Sequence, residues 1–272
     1  MCHSPSAQAH TLKISTWNLD WLTSRQTGDS ALPEDVQGRT ENDFQRLRKY
    51  AQHLNADILA VQEVDDLPAL KRVLNTNDYQ LFLSTDDVVQ KTGLAVRKSL
   101  AVTVNEPLQE LDINPQAVHH LRTGLDVTLS DGKTTLRLLV VHLKTGCWDQ
   151  PLTQKQHSCP TLYKQFTLLE NWIAERQDEG KPFAVLGDFN RRLTPSDPLM
   201  AHLEAVAPVT LVTSGFASPC WGGESFIDHI ILGNDAKNWL VPDSLLVMTY
   251  RKDTAPQGLS DHCPVSVKLA LP

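Results

Sequence analysis

The sequence predicts an α/β sandwich, with sheets covered by helices. Two observations predict it. Strand-like runs outnumber helix-like ones, and the helices fall between strands without the regular alternation of a βαβ fold. A third observation bears on what the fold carries: polar and charged residues gather where the apolar runs stop.

Residues 12–17 alternate apolar and polar side chains and read as a first strand, ending in Asn18, Leu19, Asp20 and Trp21. Residues 23–40, rich in Gly, Pro, Ser and Asp, read as a loop. Phe44, Leu47, Ala51 and Leu54 recur at helical spacing and predict a helix over 41–54. Residues 57–61, apolar from Ile58 to Val61, predict a buried strand that ends in Gln62 and Glu63. A short helix follows over 68–74, with Asp65 or Asp66 as its cap and Pro68 in its first turn. Strand signals come next at 79–83, 93–96, 125–129 and 136–143. Asp131-Gly132 is a hairpin turn between the last two.

His142 and Lys144 stand at the end of that very apolar run. Residues 146–160 read as a loop, and 162–173 as a helix with Leu162, Phe166, Leu169 and Ile173 on one face. The next strand, over 182–190, is apolar from Phe183 to Leu186 and stops at Gly187. It delivers Asp188, Asn190, Arg191 and Arg192. Residues 197–207 predict a helix, and 213–223 a loop holding Cys220 and Trp221. A strand over 226–232 contains Asp228 and His229, and His229 reads as a packed strand residue. The last strand, 263–271, comes directly after Leu259-Ser260-Asp261-His262.

The chain of 272 residues shows no repeat and no convincing linker. It reads as a tail, 1–11, and one domain, 12–272, and as a monomer. Apolar residues make up 41% and charged residues 21%, the balance of a soluble globular protein. No run approaches the roughly 18 apolar residues that span a bilayer. The formal charge of −7 excludes a broad basic face for duplex nucleic acid. A phosphate-bearing substrate would be held by a few local cations and metal. Ala7-Gln8-Ala9 looks like a small-residue cleavage site, so the tail reads as the remnant of a signal peptide and the protein as periplasmic or secreted. A cytoplasmic chain with a disordered tail is the alternative. Five cysteines are too few for a disulfide scaffold. Cys147 and Cys159 bracket one loop and can be bridged, in keeping with an oxidising compartment. A zinc site from Cys147, His157, Cys159 and Cys220 is the alternative.

Five strand ends carry the unusual groups: Asn18 with Asp20, Glu63, His142, Asp188 with Asn190, and Asp261 with His262. Asp228 lies inside an apolar strand, where a carboxylate is costly unless paired or metal-bound. Oxygen ligands of this kind suit a hard divalent cation, which needs only one or two carboxylates plus substrate phosphate. The histidines can manage protons.

The segments S-T-W-N-L-D-W (15–21), L-A-V-Q-E-V (59–64), V-V-H-L-K-T-G (140–146), V-L-G-D-F-N-R-R (185–192), F-I-D-H-I-I-L (226–232) and L-S-D-H-C-P-V (259–265) together resemble the endonuclease/exonuclease/phosphatase superfamily, in the family's order. The resemblance implies a four-layer, DNase I-like sandwich: two packed, mainly antiparallel sheets flanked by helices. It implies Mg²⁺ or Mn²⁺ on Glu63, with Asn18, Asp20 and Asp261 at or near the metal. It implies that Asp188 and Asn190 position and activate the attacking water, and that His142 and His262 stabilise the phosphoryl oxygens, His262 being oriented by Asp228. Lys144, Arg191 and Arg192 are the candidate cations for substrate phosphate. The expected activity is a nuclease with nucleic acid as substrate. A phosphatase or phospholipase-type phosphodiesterase is the alternative, favoured by the similarity of G-D-F-N-R-R to inositol-polyphosphate 5-phosphatases but lacking that group's P-x-W-C-D-R stretch. Trp21, Trp148 and Trp221 lie in loops after strands and can stack on bases.

Overall fold

The computed structural model describes residues 10–250 and 259–272. The tail and its cleavage-site reading lie largely outside those residues, and the first strand begins at His10, inside the expected tail. The strands are β1 (His10–Leu22), β2 (Ile58–Val64), β3 (Tyr79–Leu83), β4 (Lys91–Arg97), β5 (Ala101–Val104), β6 (Leu125–Ser130), β7 (Thr135–His142), β8 (Phe183–Asp188), β9 (Thr210–Leu211), β10 (Asp228–Gly233), β11 (Leu246–Val247) and β12 (Val265–Leu271). The α-helices are α1 (Glu41–Leu54), α2 (Leu67–Val73), α3 (Cys159–Glu179) and α4 (Pro198–Val206).

Local chemistry sets the helix ends. Thr40 and Asp43 cap α1 reciprocally, each side chain bonding the other's backbone N–H. Asp66, rather than Asp65, caps α2 by accepting from Ala69 N at 2.7 Å. Asp65 is taken by Thr23 and Arg25. Helix α3 runs beyond its expected 162–173 at both ends and stops at Gly180, whose φ of +67° suits a residue without Cβ.

Two six-stranded sheets form, in the orders β11-β12-β1-β2-β4-β3 and β5-β6-β7-β8-β10-β9. Each is antiparallel except for one central parallel pair, β1 with β2 and β7 with β8. Alternation along the strands distributes the apolar side chains over three layers. Leu12, Ile14, Leu138, Val140, Ala184 and Leu186 meet between the sheets. Trp17, Leu19, Leu59 and Val61 face the other way, onto Phe44 and Leu47 of α1 and Leu70 of α2. Leu139, Val141, Val185 and Ile231 face Phe166 and Leu169 of α3 and Leu203 of α4. The result is the expected four-layer sandwich. Each buried Leu or Ile contributes roughly 2 kcal/mol. Gly187 is required where β8 crowds β7: a Cβ there would lie 1.9 Å from the Val141 carbonyl oxygen.

The topology aims the chain's chemistry at one edge. Parallel neighbours end on the same side, so β1 and β2 bring Asn18, Asp20 and Glu63 there, and β7 and β8 bring His142 and Asp188. Their antiparallel partners start on that side. Asp228, the first residue of β10, pairs with Asp188, the last of β8. Asp261 and His262 lead into β12, which pairs with β1. The two central pairs face each other across the sandwich.

Candidate active site

Asp188 is the centre of the cluster. Its Oδ2 accepts from Asn18 Nδ2 at 3.1 Å and lies 3.6 Å from His142 Nε2 and 3.8 Å from His262 Nε2. Its Oδ1 accepts from the Asn190 backbone N–H at 2.8 Å. Burial and the Asp228 charge raise its pKa to about 7, against the lowering effect of His262.

His262 is held from several sides. Its Nδ1 lies 2.8 Å from Asp228 Oδ2, both groups buried. Its backbone N–H donates to Ser260 Oγ, whose hydroxyl donates to the Asn18 carbonyl. The Tyr250 hydroxyl donates to the His262 carbonyl. Burial alone would lower the pKa of this imidazole, but Asp228 and Asp188 raise it well above the usual histidine value. His142 goes the other way: burial, then Arg122 and His262, hold it well below that value. The two imidazoles on either side of Asp188 are therefore pushed in opposite directions, His262 toward the charged form and His142 toward the neutral one.

Glu63 faces them from the other sheet. Its Oε1 accepts from Asn18 Nδ2 at 3.0 Å and lies 3.7 Å from His142 Nε2, and its Oε2 accepts from Trp21 N at 3.2 Å. Asp20 is pushed up to about 6 by burial and by the charges of Asp261 and Glu63. Around this edge the backbone is strained. Asp20, Trp21, Glu63 and Asn190 all have φ between +46° and +60°, in a region most non-glycine residues avoid.

A cavity of about 250 Å³ opens here. Asp20, Glu63, His142, Lys144, Asp188, Asn190, Asp261 and His262 line it, with Trp21, Trp148 and Trp221. Most of the sequence-chosen residues are thus brought together. Asn18 is placed behind the cavity, its amide bonding Glu63 and Asp188 and its Oδ1 accepting from Asp20 N. Two of the proposed phosphate cations are not at the cavity. Arg191 is fully buried, and its guanidinium is occupied by Asp197 at 2.7 Å and by the carbonyls of Cys147 and Gln150. Arg192 pairs with Asp149 and Glu224. The physical reason is that a cation beside a carboxylate strand end still turns toward whichever acceptors its loop supplies, here Asp197 and loop carbonyls.

Arg122 is a cavity residue that the sequence did not reveal. It lies in an irregular segment with no periodic signal, its buried Nε has no hydrogen-bond partner, and the charges of Glu63 and Asp188 favour its protonated form most. The zinc alternative is corrected by the cysteines themselves. Cys147 pairs with Cys159 and Cys220 with Cys263, Cα atoms 5.1 and 6.1 Å apart, so none of the three cysteines of that alternative is free to bind metal as a thiolate. His229 is a packed residue, bonded to Thr213 Oγ1 and the Arg191 carbonyl, and burial lowers its pKa to about 4.

The donor set suits a hard divalent ion: three carboxylates, of which Asp20 is pushed up to about 6 by burial and then by the charges of the other two. Asp20, Glu63 and Asp261 are spread around the cavity rather than closed into a cage. Among the described residues, the group of three whose ligand atoms all lie within 4.8 Å of one another is Asp188, Asp228 and His262. There His262 Nδ1 already meets Asp228 Oδ2 at 2.8 Å, while Nε2 faces Asp188.

The Endonuclease/Exonuclease/phosphatase family model matches residues 15–262. No curated protein matches in sequence. Among solved structures, truncated Caenorhabditis elegans TDP2 is 18% identical, with 96% of this chain and 98% of that one covered at a TM-score of 0.65. D. rerio TDP2 complexed with single strand DNA product is 18% identical over 95% and 98%, TM-score 0.62. AP endonuclease LMAP from Leishmania major is 13% identical over 96% and 88%, TM-score 0.61. At these identities the structures establish the shared fold.

Proposed function

The chain belongs to the endonuclease/exonuclease/phosphatase family and is a phosphoesterase, and from that premise we propose that it is a divalent-metal-dependent phosphodiester hydrolase acting on nucleic acid. The observation that carries this reading is the convergence of Asp188 with two imidazoles on one side and Glu63 on the other, at the floor of a single cavity. The nucleic-acid part is supported by the three cavity tryptophans and by relatives of the same fold that act on DNA.

Glu63, with Asp20 and Asp261, would hold Mg²⁺ or Mn²⁺, which when bound supplies charge neutralisation at the phosphate. Asn18 steadies Glu63 and Asp188 from behind. Asp188, poised near neutral pH, takes the proton of the attacking water, with Asn190 orienting that water. His262, kept protonated by Asp228, donates to a phosphoryl oxygen as negative charge develops, and neutral His142 donates beside it. Arg122 and Lys144 are the cations left facing the phosphate. Phosphoryl transfer asks for this positioning and neutralisation more than for covalent chemistry.

The test is a substrate panel with Mg²⁺, Mn²⁺ and EDTA: plasmid, linear and single-stranded DNA, RNA, inositol phosphates and sphingomyelin. Metal-dependent cleavage of nucleic acid is expected. Hydrolysis confined to inositol phosphates or sphingomyelin would overturn the nuclease reading, and full activity in EDTA would overturn the metal.

A further inference from the structure

The cavity rim carries a second construction. Trp148 follows Cys147 and Trp221 follows Cys220, so each of these cavity tryptophans stands next to a disulfide half-cystine. Cys147–Cys159 fastens the first loop to the start of α3. Cys220–Cys263 fastens the second to the residue beside His262. The two arginines that stay off the cavity brace these loops. Arg191 donates to the carbonyls of Cys147 and Gln150, on either side of Trp148. Arg192 donates its backbone N–H to the Trp148 carbonyl at 2.7 Å, and its guanidinium spans from Asp149 on one loop to Glu224 on the other.

Trp221 stands edge to face with His262, ring centroids 5.3 Å apart. Trp148 remains 41% exposed despite its braced backbone. Large aromatic rings held this firmly at a cavity mouth, one against the imidazole proposed to meet the phosphate, are suited to stacking rather than to core packing.

We propose that Trp148 and Trp221 form a base-stacking rim, and that the substrate is an unpaired stretch of nucleic acid whose bases flank the phosphate over Asp188. The inference rests on the nucleic-acid reading above and narrows it. Stacking needs an open base face, which a duplex hides between neighbouring pairs, and it tolerates every base. The net charge of −7 fits as well, because a duplex-gripping surface relies on many phosphate contacts. Arg191 and Arg192 then act as positioning residues, through the loops they brace.

The experiment compares a single-stranded oligothymidylate with an oligomer of the same length made of abasic residues, and with a duplex, each with Mg²⁺. The base-bearing strand is expected to be preferred over both. Trp148→Ala should cut its kcat/KM preference over the abasic oligomer by about tenfold, on the scale of one lost stacking contact, mainly through KM. Trp148→Phe should recover much of it. Because Trp221 touches His262, Trp221→Phe is the cleaner variant there, and it should lower the same preference less. Binding of the base-bearing strand should also quench tryptophan fluorescence in EDTA more than the abasic strand does. An unchanged preference in Trp148→Ala, or faster cleavage of duplex, overturns the rim while leaving the nuclease reading standing. If the wild-type protein hydrolyses neither oligomer nor bis(p-nitrophenyl) phosphate with either metal, both readings fall together.

Discussion

The two sheets meet at the cavity with the same architecture and opposite electrostatics. Each supplies a central parallel pair whose ends carry acidic or titratable groups. From the β7–β8 side, Asp188 and Asp228 are buried and tied to histidines by contacts of 2.8 to 3.8 Å. From the β1–β2 side, Asp20 and Glu63 sit on left-handed backbone in the cavity lining, repelling one another and Asp261. One half sets its carboxylates against imidazoles, whereas the other sets carboxylate against carboxylate. The imidazole half is preorganised by the protein, whereas the carboxylate half has a surplus of negative charge that a cation would complete.

That contrast can be broken most directly by exchanging carboxylates for amides on the two sides. Asp188→Asn should lower kcat by about 10³, within the range for a lost general base, with metal affinity changing far less. Glu63→Gln should do the reverse, weakening Mg²⁺ binding in calorimetry and restoring part of the rate at high Mg²⁺. Equal loss of metal affinity in both variants would dissolve the distinction.

Within the imidazole half, Asp228→Asn should cost about 10² in kcat, the scale of one preorganised donor. His262→Ala should cost about the same, and the double variant little more, because members of one unit are not additive. Losses that multiply would mean that the two residues act independently.

The pH profile sharpens the comparison further. The proposed mechanism needs Asp188 ionised, and its pKa is raised to about 7, so kcat should rise as pH passes through about 7. The same mechanism needs His262 protonated, and its pKa is raised well above the usual histidine value, so kcat should fall again on the alkaline side. Asp228→Asn removes a charge that raises it, so the alkaline limb should move to lower pH. A limb that stays in place would contradict the assignment.

The smallest effect is thermal. Asp20, Asp188 and His262 all have raised pKa values in the folded state, so folded protein holds these protons more tightly than the unfolded chain. Their contribution to stability is full below the unfolded carboxyl value of about 4 and declines as pH rises through about 6 and 7, then through the folded pKa of His262. The Tm of metal-free wild type relative to Asp188→Asn should fall by a few degrees between about pH 4 and pH 8. Mg²⁺ should raise the Tm more at pH 8 than at pH 5. A difference that stays flat in differential scanning fluorimetry would show that the unfolded chain shares these shifts.

The strand ends that build the site were legible because buried strands leave strong signals. Apolar runs that stop at Glu63, His142 and Asp188 can be read without knowing their neighbours, and the spacing of Phe44, Leu47, Ala51 and Leu54 marks α1 at its observed bounds. The short strands β9 and β11 were not legible, since two residues cannot show a period, and β5 is largely exposed and carries little apolar contrast. Arg122 was hidden for the same reason: its place is fixed by tertiary packing of an irregular segment. The reading of Arg191 failed differently. Sequence position beside Asp188 is correct, but the side chain's direction is decided by Asp197, six residues on, and by a loop more than forty residues earlier. The Cys220–Cys263 bridge joins a loop to the entry of the last strand, a pairing that spacing alone does not single out.

The pairing of β1 with β12 has a consequence for synthesis. The first described strand lies between β2 and the last, so His10 sits opposite Leu271. A chain emerging from the ribosome carries Glu63, His142 and Asp188 long before it carries His262. Until β12 is released, one edge of β1 has no partner and His262, one of the two imidazoles proposed to face the phosphate, is missing. Long-range closure of this kind is slow to form. For an enzyme proposed to cut nucleic acid, it also means that the cluster around Asp188 gains His262 only when the last strand closes the sheet.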